Sequence, residues 1–279
     1  MRLVLGAHTL DLATPRIMGV LNLTPDSFSD GGRHQALDAA LARARRMVAE
    51  GADLIDVGGE STRPGAVPVG ADAELARVVP VIAALVAELP VPVSIDTTKP
   101  EVMRAAVAAG ATMINSVDAL RAPGALAAAV ALGVPVCLMH MQGEPRTMQR
   151  EPDYGDVVAE VRGFLAARIA AALAAGVARA ALLVDPGFGF GKTLAHNLAL
   201  FDALPELAAL GPPLLVGVSR KAMVGALTGR PVEERAVGSA VAAAFAVRRG
   251  ARLVRVHDVA ATRDALAIAA ALGRGERTD

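Results

Sequence analysis

Eight short apolar runs, rich in Val, Ile and Leu, alternate along the chain with longer stretches of helical periodicity that are rich in Ala, Leu and Arg. This alternation is typical of repeated βα units around a parallel sheet. The predicted strands are 17–21, 54–57, 91–95, 113–115, 136–139, 182–184, 214–217 and 253–256. The predicted helices are 35–50, 71–88, 100–109, 123–132, 156–175, 196–209, 221–249 with a break at 229–231, and 259–272. Eight such units predict an α/β fold, the (β/α)8 TIM barrel.

The segment before the first predicted strand has its own pattern. Leu3–Leu5 and Leu10–Leu12 flank a Gly-Ala-His turn, which predicts a short N-terminal hairpin that plugs the bottom of the barrel. No linker or shift in composition divides the chain. We therefore expect a single TIM-barrel domain over residues 1–279.

Composition excludes several classes of partner. The chain has 279 residues with 28 Lys and Arg against 28 Asp and Glu, so no net charge attracts nucleic acid or an anionic membrane surface. The longest uncharged run, 122–139, is interrupted by two prolines and two glycines, which favours core over membrane. A lone cysteine, Cys137, and no visible secretion signal indicate a cytoplasmic protein.

Polar or charged residues stand at the C-terminal end of every predicted strand, where TIM barrels carry their active sites. In strand order they are Asn22, Asp56 with the run 60–65, Asp96, Asn115, His140, Asp185, Ser219 with Arg220 and Lys221, and Arg255 with His257 and Asp258. Taken singly, each has the alternative interpretation of a cap on the next helix. Their presence at all eight ends favours a functional site.

The chemistry of these groups falls into two parts. Acceptors, an amide and one cation suit the aminopyrimidinone edge of a flat heterocycle: Asp96, Asn115, Asp185 and Lys221. Other groups suit phosphate oxygens and, through an amide oxygen, a hard cation: Asn22, Arg63, Arg255 and His257. The two parts together predict a phosphorylated heterocycle as a ligand.

Three loop features leave alternatives open. The loops 24–34 and 58–70 are rich in Gly, Pro and Ser, and are either lids or ordinary surface turns; Phe28 favours a lid. Ser219 is expected as the N-cap of the helix after it, with or without a bound anion. Lys192 ends a glycine-rich run whose spacing matches neither the Walker phosphate-binding loop nor the dinucleotide-binding loop. We therefore expect a surface or loop lysine there.

Six motifs stand in order along nearly the whole chain: 19–28, 56–65, 94–97, 185–192, 219–221 and 255–258. Together they closely resemble the dihydropteroate synthase family. The resemblance implies a TIM-barrel transferase of alkyl or aryl groups other than methyl, and a sulfonamide target. It implies condensation of 6-hydroxymethyl-7,8-dihydropterin pyrophosphate with p-aminobenzoate to 7,8-dihydropteroate and pyrophosphate in folate biosynthesis, by an SN1-like substitution. It also implies a homodimer, with which the Ala-rich helices near 235–249 and 263–272 are compatible.

Residue roles follow from the same resemblance. Pterin binding is implied for Asp96, Asn115, Asp185 and Lys221, with Met139, Gly217 and Arg255 shaping the slot. Pyrophosphate binding with Mg²⁺ is implied for Asn22, Arg63, Arg255 and His257, with Asn22 as the metal ligand. The p-aminobenzoate site is implied for Phe28, Thr62, Arg63, Pro64, Phe190, Ser219 and Lys221. Catalytic roles are implied for Lys221, Arg63, Asn22, Arg255 and His257.

One residue departs from the family pattern: Ser116 stands where the family usually carries Asp. We expect Ser116→Asp to change turnover by less than about tenfold, and Asn115→Ala to cost considerably more. Two rival functions remain open from the sequence. A pterin-binding methyltransfer module has no use for the motifs 61–65 and 219–221, and a catalytically silent pterin-binding barrel has no use for an intact set of strand ends.

Overall fold

Ten strands are found in the computed structural model of the chain, in which the described residues are 1–23, 33–62 and 65–272. The first two form an antiparallel hairpin: β1 Arg2–Leu5 and β2 His8–Asp11. The other eight are β3 Arg16–Asn22, β4 Leu54–Gly58, β5 Val93–Asp96, β6 Met113–Ser116, β7 Val136–Met139, β8 Leu182–Asp185, β9 Leu214–Val216 and β10 Ala251–Val256.

The helices follow the barrel strands. They are α1 Arg33–Glu50, α2 Ala71–Glu88, α3 Pro100–Ala108, α4 Ala125–Leu132, α5 Val157–Ala175, α6 Leu194–Asp202, α7 Leu204–Ala208, α8 Ala222–Thr228, α9 Ala236–Arg248 and α10 Val259–Leu272. The predicted helix 196–209 is wrong as one element, since Pro205 in the first turn of α7 starts a new helix. The predicted break at 229–231 is confirmed, with Gly229 in the left-handed region at φ 69° after α8.

Strands β3 to β10 close a parallel barrel in the order β10-β3-β4-β5-β6-β7-β8-β9. The predicted TIM barrel is confirmed. In the ranges that the structure describes, no helix combines the length and apolar character that crossing a bilayer requires.

The hairpin seals the bottom of the barrel. Its buried leucines form one apolar cluster with inward-facing residues of seven strands: Leu3, Leu5, Leu10, Leu12, Met18, Leu54, Met113, Cys137, Leu183, Leu215 and Leu253. Burying each leucine contributes about 1.5–3 kcal/mol of transfer free energy. The predicted plug is confirmed, and it leaves only the opposite mouth of the barrel available for polar groups.

Candidate active site

Strand periodicity determines which residues face the mouth. Side chains two positions apart in a strand point to the same side. The residue two positions after each strand member of the apolar cluster at the barrel bottom therefore also points inward, one layer nearer the mouth. This relation connects Met18 to Val20, Leu54 to Asp56, Met113 to Asn115, Cys137 to Met139, Leu183 to Asp185, Leu215 to Gly217 and Leu253 to Arg255. Five of these seven upper-layer residues are predicted site residues, and the other two are Val20 and Asp56.

Arg255 stands at the centre of this layer. Its Nε donates to Asp56 Oδ2 at 2.6 Å, and its Nη2 donates to Asp96 Oδ2 at 2.8 Å. Asn115 Nδ2 also donates to Asp56 Oδ2, at 3.1 Å. The structure therefore brings the predicted residues Asp96, Asn115 and Arg255 together through a carboxylate for which no motif gives a role.

The buried charges of this network shift one another's protonation. Burial raises the pKa of Asp96 to about 7, although Arg255 opposes the shift. Burial works to lower the pKa of Arg255, but Asp56 and Asp96 outweigh it and raise that pKa. Arg255 thus remains a fixed cation, while Asp96 gains or loses a proton near neutrality.

Asp185 lies on the other side of Arg255. Its Oδ1 accepts a hydrogen bond from Gly187 N at 2.7 Å. Its Oδ2 lies 3.9 Å from the position that a Cβ would take at Gly217, and Arg255 Cβ lies 3.7 Å from the same point. The absence of a side chain at Gly217 therefore keeps this side of the mouth open, with one carboxylate oxygen beside the opening. Burial raises the pKa of Asp185.

Lys221 supplies the cation next to Asp185. Burial lowers the pKa of its ammonium to about 8, and the charge of Asp185 works against that shift. The Nζ donates to Phe188 O and lies 4.5 Å from the centroid of the Phe190 ring. Phe190 in turn packs against the cluster that contains Met139. The predicted residues Lys221, Phe190 and Met139 therefore form one wall.

Ser219 and His257 form a separate pair. Ser219 Oγ accepts from His257 N at 3.1 Å and lies 3.0 Å from His257 Nδ1. The expected N-cap role of Ser219 is wrong, because α8 begins only at Ala222 and Lys221 is its N-cap residue. Arg220 has φ 58° and its Nε donates to Asp258 at 2.9 Å, so the chain turns between Ser219 and the helix.

The other predicted residues lie at the ends of β3 and β4. Asn22 ends β3 with an exposed side chain, and Thr62 is half-buried beyond β4. Phe28, Arg63 and Pro64 lie outside the described residues, as does most of the loop 24–34. Their predicted roles therefore remain predictions.

Two lysines, the half-buried Lys99 and the buried Lys192, have arrangements that no motif indicates. Lys99 Nζ donates to Glu60 Oε2 at 2.5 Å and to the fully buried Glu74 at 2.6 Å, while Glu60 Oε1 accepts from Val69 N. This ion triad ties the loop after β4 to α2. Lys192 lies in a loop but is only 3 % exposed. The expectation of a surface lysine is therefore wrong, and that of a loop lysine is confirmed. The scarcity of lysine, with three in the whole sequence, is a signal that could have drawn attention to both of them.

Mg²⁺ is the one cofactor that the sequence predicts, through Asn22. Asn22 Oδ1 and Asp96 Oδ2 lie 3.5 and 3.9 Å from the position that a Cβ at Gly58 would take, so this glycine leaves space beside hard oxygen donors. No group of three or more His, Cys, Asp or Glu able to hold a metal occurs in the described part of the chain. Mg²⁺ commonly takes one or two protein oxygens and completes its shell with water and substrate phosphates. The residues present fit that mode of binding.

Comparison with known proteins identifies the family. The family model described as pterin binding enzyme matches residues 18–257. The chain is 50 % identical over 268 residues to the dihydropteroate synthase of Escherichia coli K12, covering 96 % of this chain and 95 % of that protein. The chain belongs to the dihydropteroate synthase family. Its motifs, barrel and mouth residues are thus those of a family member.

Solved structures agree with this membership. The dihydropteroate synthase of Xanthomonas albilineans with 4-aminobenzoic acid is 56 % identical, with a TM-score of 0.92 and 98 % of each chain covered. The dihydropteroate synthase of Yersinia pestis in a sulfonamide complex is 50 % identical, with a TM-score of 0.93, covering 99 % of this chain and 100 % of that one.

Proposed function

We infer that the chain condenses 6-hydroxymethyl-7,8-dihydropterin pyrophosphate with p-aminobenzoate, giving 7,8-dihydropteroate and pyrophosphate in folate biosynthesis. The observation that carries this inference is the upper layer of the barrel, where carboxylates, an amide and two cations converge in a chain of the dihydropteroate synthase family. Family membership and a bound 4-aminobenzoic acid in a relative speak against the methyltransfer alternative.

The pterin ring is proposed to occupy the mouth of the barrel. Its amino and ring N–H groups need acceptors, which Asp185 Oδ2 and the Asp96 carboxylate supply. Lys221 supplies a donor for the carbonyl and a ring nitrogen, and Asn115 supplies an amide. Met139, Gly217 and Arg255 shape the slot.

The pyrophosphate is proposed to lie towards β3 and β10. Asn22, Arg63, Arg255 and His257 are the residues assigned to it. Mg²⁺ bound there by Asn22 would neutralise charge on the leaving group. Arg255 contributes a permanent positive charge, and its hydrogen bond to Asp56 fixes the orientation of the guanidinium.

The p-aminobenzoate is proposed to lie against the wall built from Phe190 and Lys221. Thr62, Ser219, Phe28, Arg63 and Pro64 complete the assignment made from the motifs. A cation beside an aromatic face suits an aryl carboxylate, since the ring can stack while the carboxylate meets positive charge.

The chemistry requires little acid or base catalysis. Loss of pyrophosphate leaves a cation at the exocyclic methylene that conjugates with the dihydropterin ring, which favours an SN1-like substitution. The neighbouring carboxylates Asp96 and Asp185 stabilise positive charge on the ring as it develops. The arylamine is unprotonated at neutral pH and attacks the methylene carbon directly, and it then releases its extra proton to solvent.

Three broader properties belong to the same proposal. The whole chain is a single domain, and the enzyme is cytoplasmic. It is also a homodimer, supported by an exposed apolar stripe on α9 formed by Val237, Val241 and Phe245, which are 74 %, 48 % and 58 % exposed. Residues four apart on a helix share one face, so this stripe is continuous.

A coupled assay of pyrophosphate release tests the proposed reaction. We expect release only when the pterin pyrophosphate, p-aminobenzoate and Mg²⁺ are all present, together with a product of the mass of 7,8-dihydropteroate. The matched control omits p-aminobenzoate and measures simple hydrolysis. Pyrophosphate release that does not depend on the arylamine would contradict the synthase function, and no release at all would favour a silent pterin-binding barrel.

A further inference from the structure

Lys192 carries a buried ammonium that the proposed chemistry does not use. Its Nζ lies 2.9 Å from His140 Nδ1, and it donates to Gly187 O at 2.9 Å and to Phe190 O at 3.0 Å. An ammonium has three hydrogens, so this set satisfies all of them. The lysine therefore joins the segment after β7 to two points of the loop after β8.

The loop itself rests directly on the segment after β7. Gly187 and Gly191 have φ of 68° and 63°, and a Cβ at either position would lie 1.8 Å from His140 O or 2.4 Å from Gln142 O. Only glycine permits this approach and these left-handed conformations without strain. The backbone of the loop therefore packs directly against residues 140–142, and the hydrogen bonds of Lys192 hold it in that position.

The fastened loop presents two groups to the site. The Phe188 carbonyl accepts a hydrogen bond from Lys221 Nζ, and the Phe190 ring lies 4.5 Å from the same Nζ. Both groups lie between Gly187 and Lys192 in the chain, inside the stretch that the Lys192 ammonium ties down. A shift of this loop would move the partner carbonyl of Lys221 and the aromatic wall together.

We propose that Lys192 is a positioning residue, which acts through the loop after β8 to hold Phe190 and the Lys221 ammonium in the geometry of the arylamine side of the site. This proposal rests on the proposed function for the identity of the arylamine. In this proposal, Lys192 does not contact a substrate. Its ammonium only fixes the backbone that carries Phe188 and Phe190.

The surroundings of Lys192 show why a charged group is unusual there. Burial lowers the pKa of its ammonium to about 7, and burial also lowers the pKa of His140 to about 3. His140 therefore stays neutral, and its Nδ1 acts as an acceptor because it faces the Lys192 ammonium, which can only donate. The His140 ring packs edge-on against Phe164 with centroids 4.9 Å apart. A buried charge is costly, and an apolar residue would pack at this position without that cost but could not tie the carbonyls.

Lys192→Met tests the proposal, with Arg249→Met as the matched control. Arg249 likewise donates to two carbonyls, Phe201 O at 3.3 Å and Asp202 O at 3.2 Å, but it lies at the end of α9, where the chain enters β10 at the opposite end of the barrel. We expect Lys192→Met to raise KM for p-aminobenzoate about tenfold or more and KM for the pterin pyrophosphate by less than about threefold. Arg249→Met should leave both KM values within about twofold of the parent.

A second pair of variants tests whether the effect passes through the loop. In a Phe190→Ala background, Lys192→Met should raise KM for p-aminobenzoate by a smaller factor than it does in the parent, because one of the two groups that Lys192 positions is already gone. His140→Leu removes one of the three partners and keeps an apolar side chain against Phe164, so it should shift the same KM in the same direction by a smaller factor. This variant carries the kinetic test if Lys192→Met does not fold.

Amide hydrogen exchange separates this proposal from the proposed function, because it needs no turnover. We expect Lys192→Met to lose protection in the peptide 186–192 while β3 to β6 keep theirs. If Lys192→Met loses this protection while the parent enzyme makes no product, the positioning role of Lys192 stands and the synthase function is overturned. Unchanged protection of 186–192, or equal rises in both KM values, would overturn the role of Lys192.

Discussion

Arg255 and Asp56 form a charged hydrogen bond that passes over a strand of the barrel. The guanidinium Nε on β10 donates to Asp56 Oδ2 on β4 at 2.6 Å, although β3 lies between these two strands. The second nitrogen, Nη2, reaches Asp96 on β5. The direction of the guanidinium is therefore fixed by the fold before any ligand arrives, which is the condition for electrostatic preorganisation.

Asp56→Asn should lower kcat/KM for the pterin pyrophosphate by about tenfold or more, since breaking one partner of a buried ion pair releases the other. The substituted side chain keeps the shape of the aspartate but loses the charge that orients Arg255. Steady-state kinetics with varied pterin pyrophosphate measures the effect.

Asp53→Asn is the control for this substitution. Asp53 also binds an arginine, with Arg16 Nη1 3.0 Å from its Oδ1, but it precedes β4 at the plugged end of the barrel. We expect Asp53→Asn to lower thermal stability and to leave kcat/KM within about twofold of the parent value. Equal kinetic losses in the two variants would show that Asp56 matters only for folding.

The pH dependence of kcat/KM should be bell-shaped for the pterin pyrophosphate. Ionised Asp96 is the stronger acceptor for the pterin N–H groups, and its pKa of about 7 makes activity rise as pH passes through that value. Protonated Lys221 is the stronger donor, and its pKa of about 8 makes activity fall above that value. Because kcat/KM reports the free enzyme, a profile that is flat from pH 6 to 9 would contradict these assignments.

The barrel and its mouth could be predicted from the sequence because their signals are local. Each strand is a short apolar run, and period-two alternation then places Asn115, Asp185 and Arg255 one layer above the apolar plug. The polar residue at each strand end is visible without any knowledge of distant contacts. The hairpin was predictable for the same reason, from two leucine-rich triplets around a turn.

The contacts between loops could not be predicted, because they depend on residues far apart in the chain. Lys192 meets His140 across 52 positions, and Asp56 meets Arg255 across 199. No spacing in the sequence connects either pair. The N-cap expected at Ser219 failed for a related reason, since its hydroxyl is taken by His257 from another loop.

Ser116→Asp should lower the melting temperature while turnover per folded molecule stays within about tenfold. Ser116 Oγ donates to Asp118 Oδ1 at 2.8 Å and accepts from Leu120 N at 3.0 Å, in a turn where Ala119 and Leu120 have φ of 55° and 59°. A second carboxylate would meet that of Asp118, but it would face away from the mouth, because neighbouring Asn115 faces inward.

The double variant Ser116→Asp with Asp118→Asn checks this interpretation. It removes the opposed charges, so its melting temperature should recover most of the loss measured for the single variant. Turnover that is lost in Ser116→Asp at temperatures where the protein is fully folded would place Ser116 in the chemistry instead.

Phe245→Glu should weaken self-association by at least about tenfold, as expected for an aromatic group at the centre of an interface. Phe245 lies in the exposed apolar stripe of α9, where a buried charge would face the second copy. Sedimentation velocity measures the change. Val4→Glu, on the outer side of the hairpin and 59 % exposed, is the control and should leave the oligomeric state unchanged.

Calorimetric titration of a pterin ligand into the parent and into Asp185→Asn tests most directly whether the barrel mouth recognises the pterin. Asp185 Oδ1 is already engaged by Gly187 N, so the amide introduced by this substitution would direct its NH₂ towards the ligand and oppose donor to donor. We predict an affinity loss of about ten- to hundredfold, equivalent to roughly 1–3 kcal/mol. An affinity in Asp185→Asn within about twofold of the parent would contradict the account and place the pterin elsewhere.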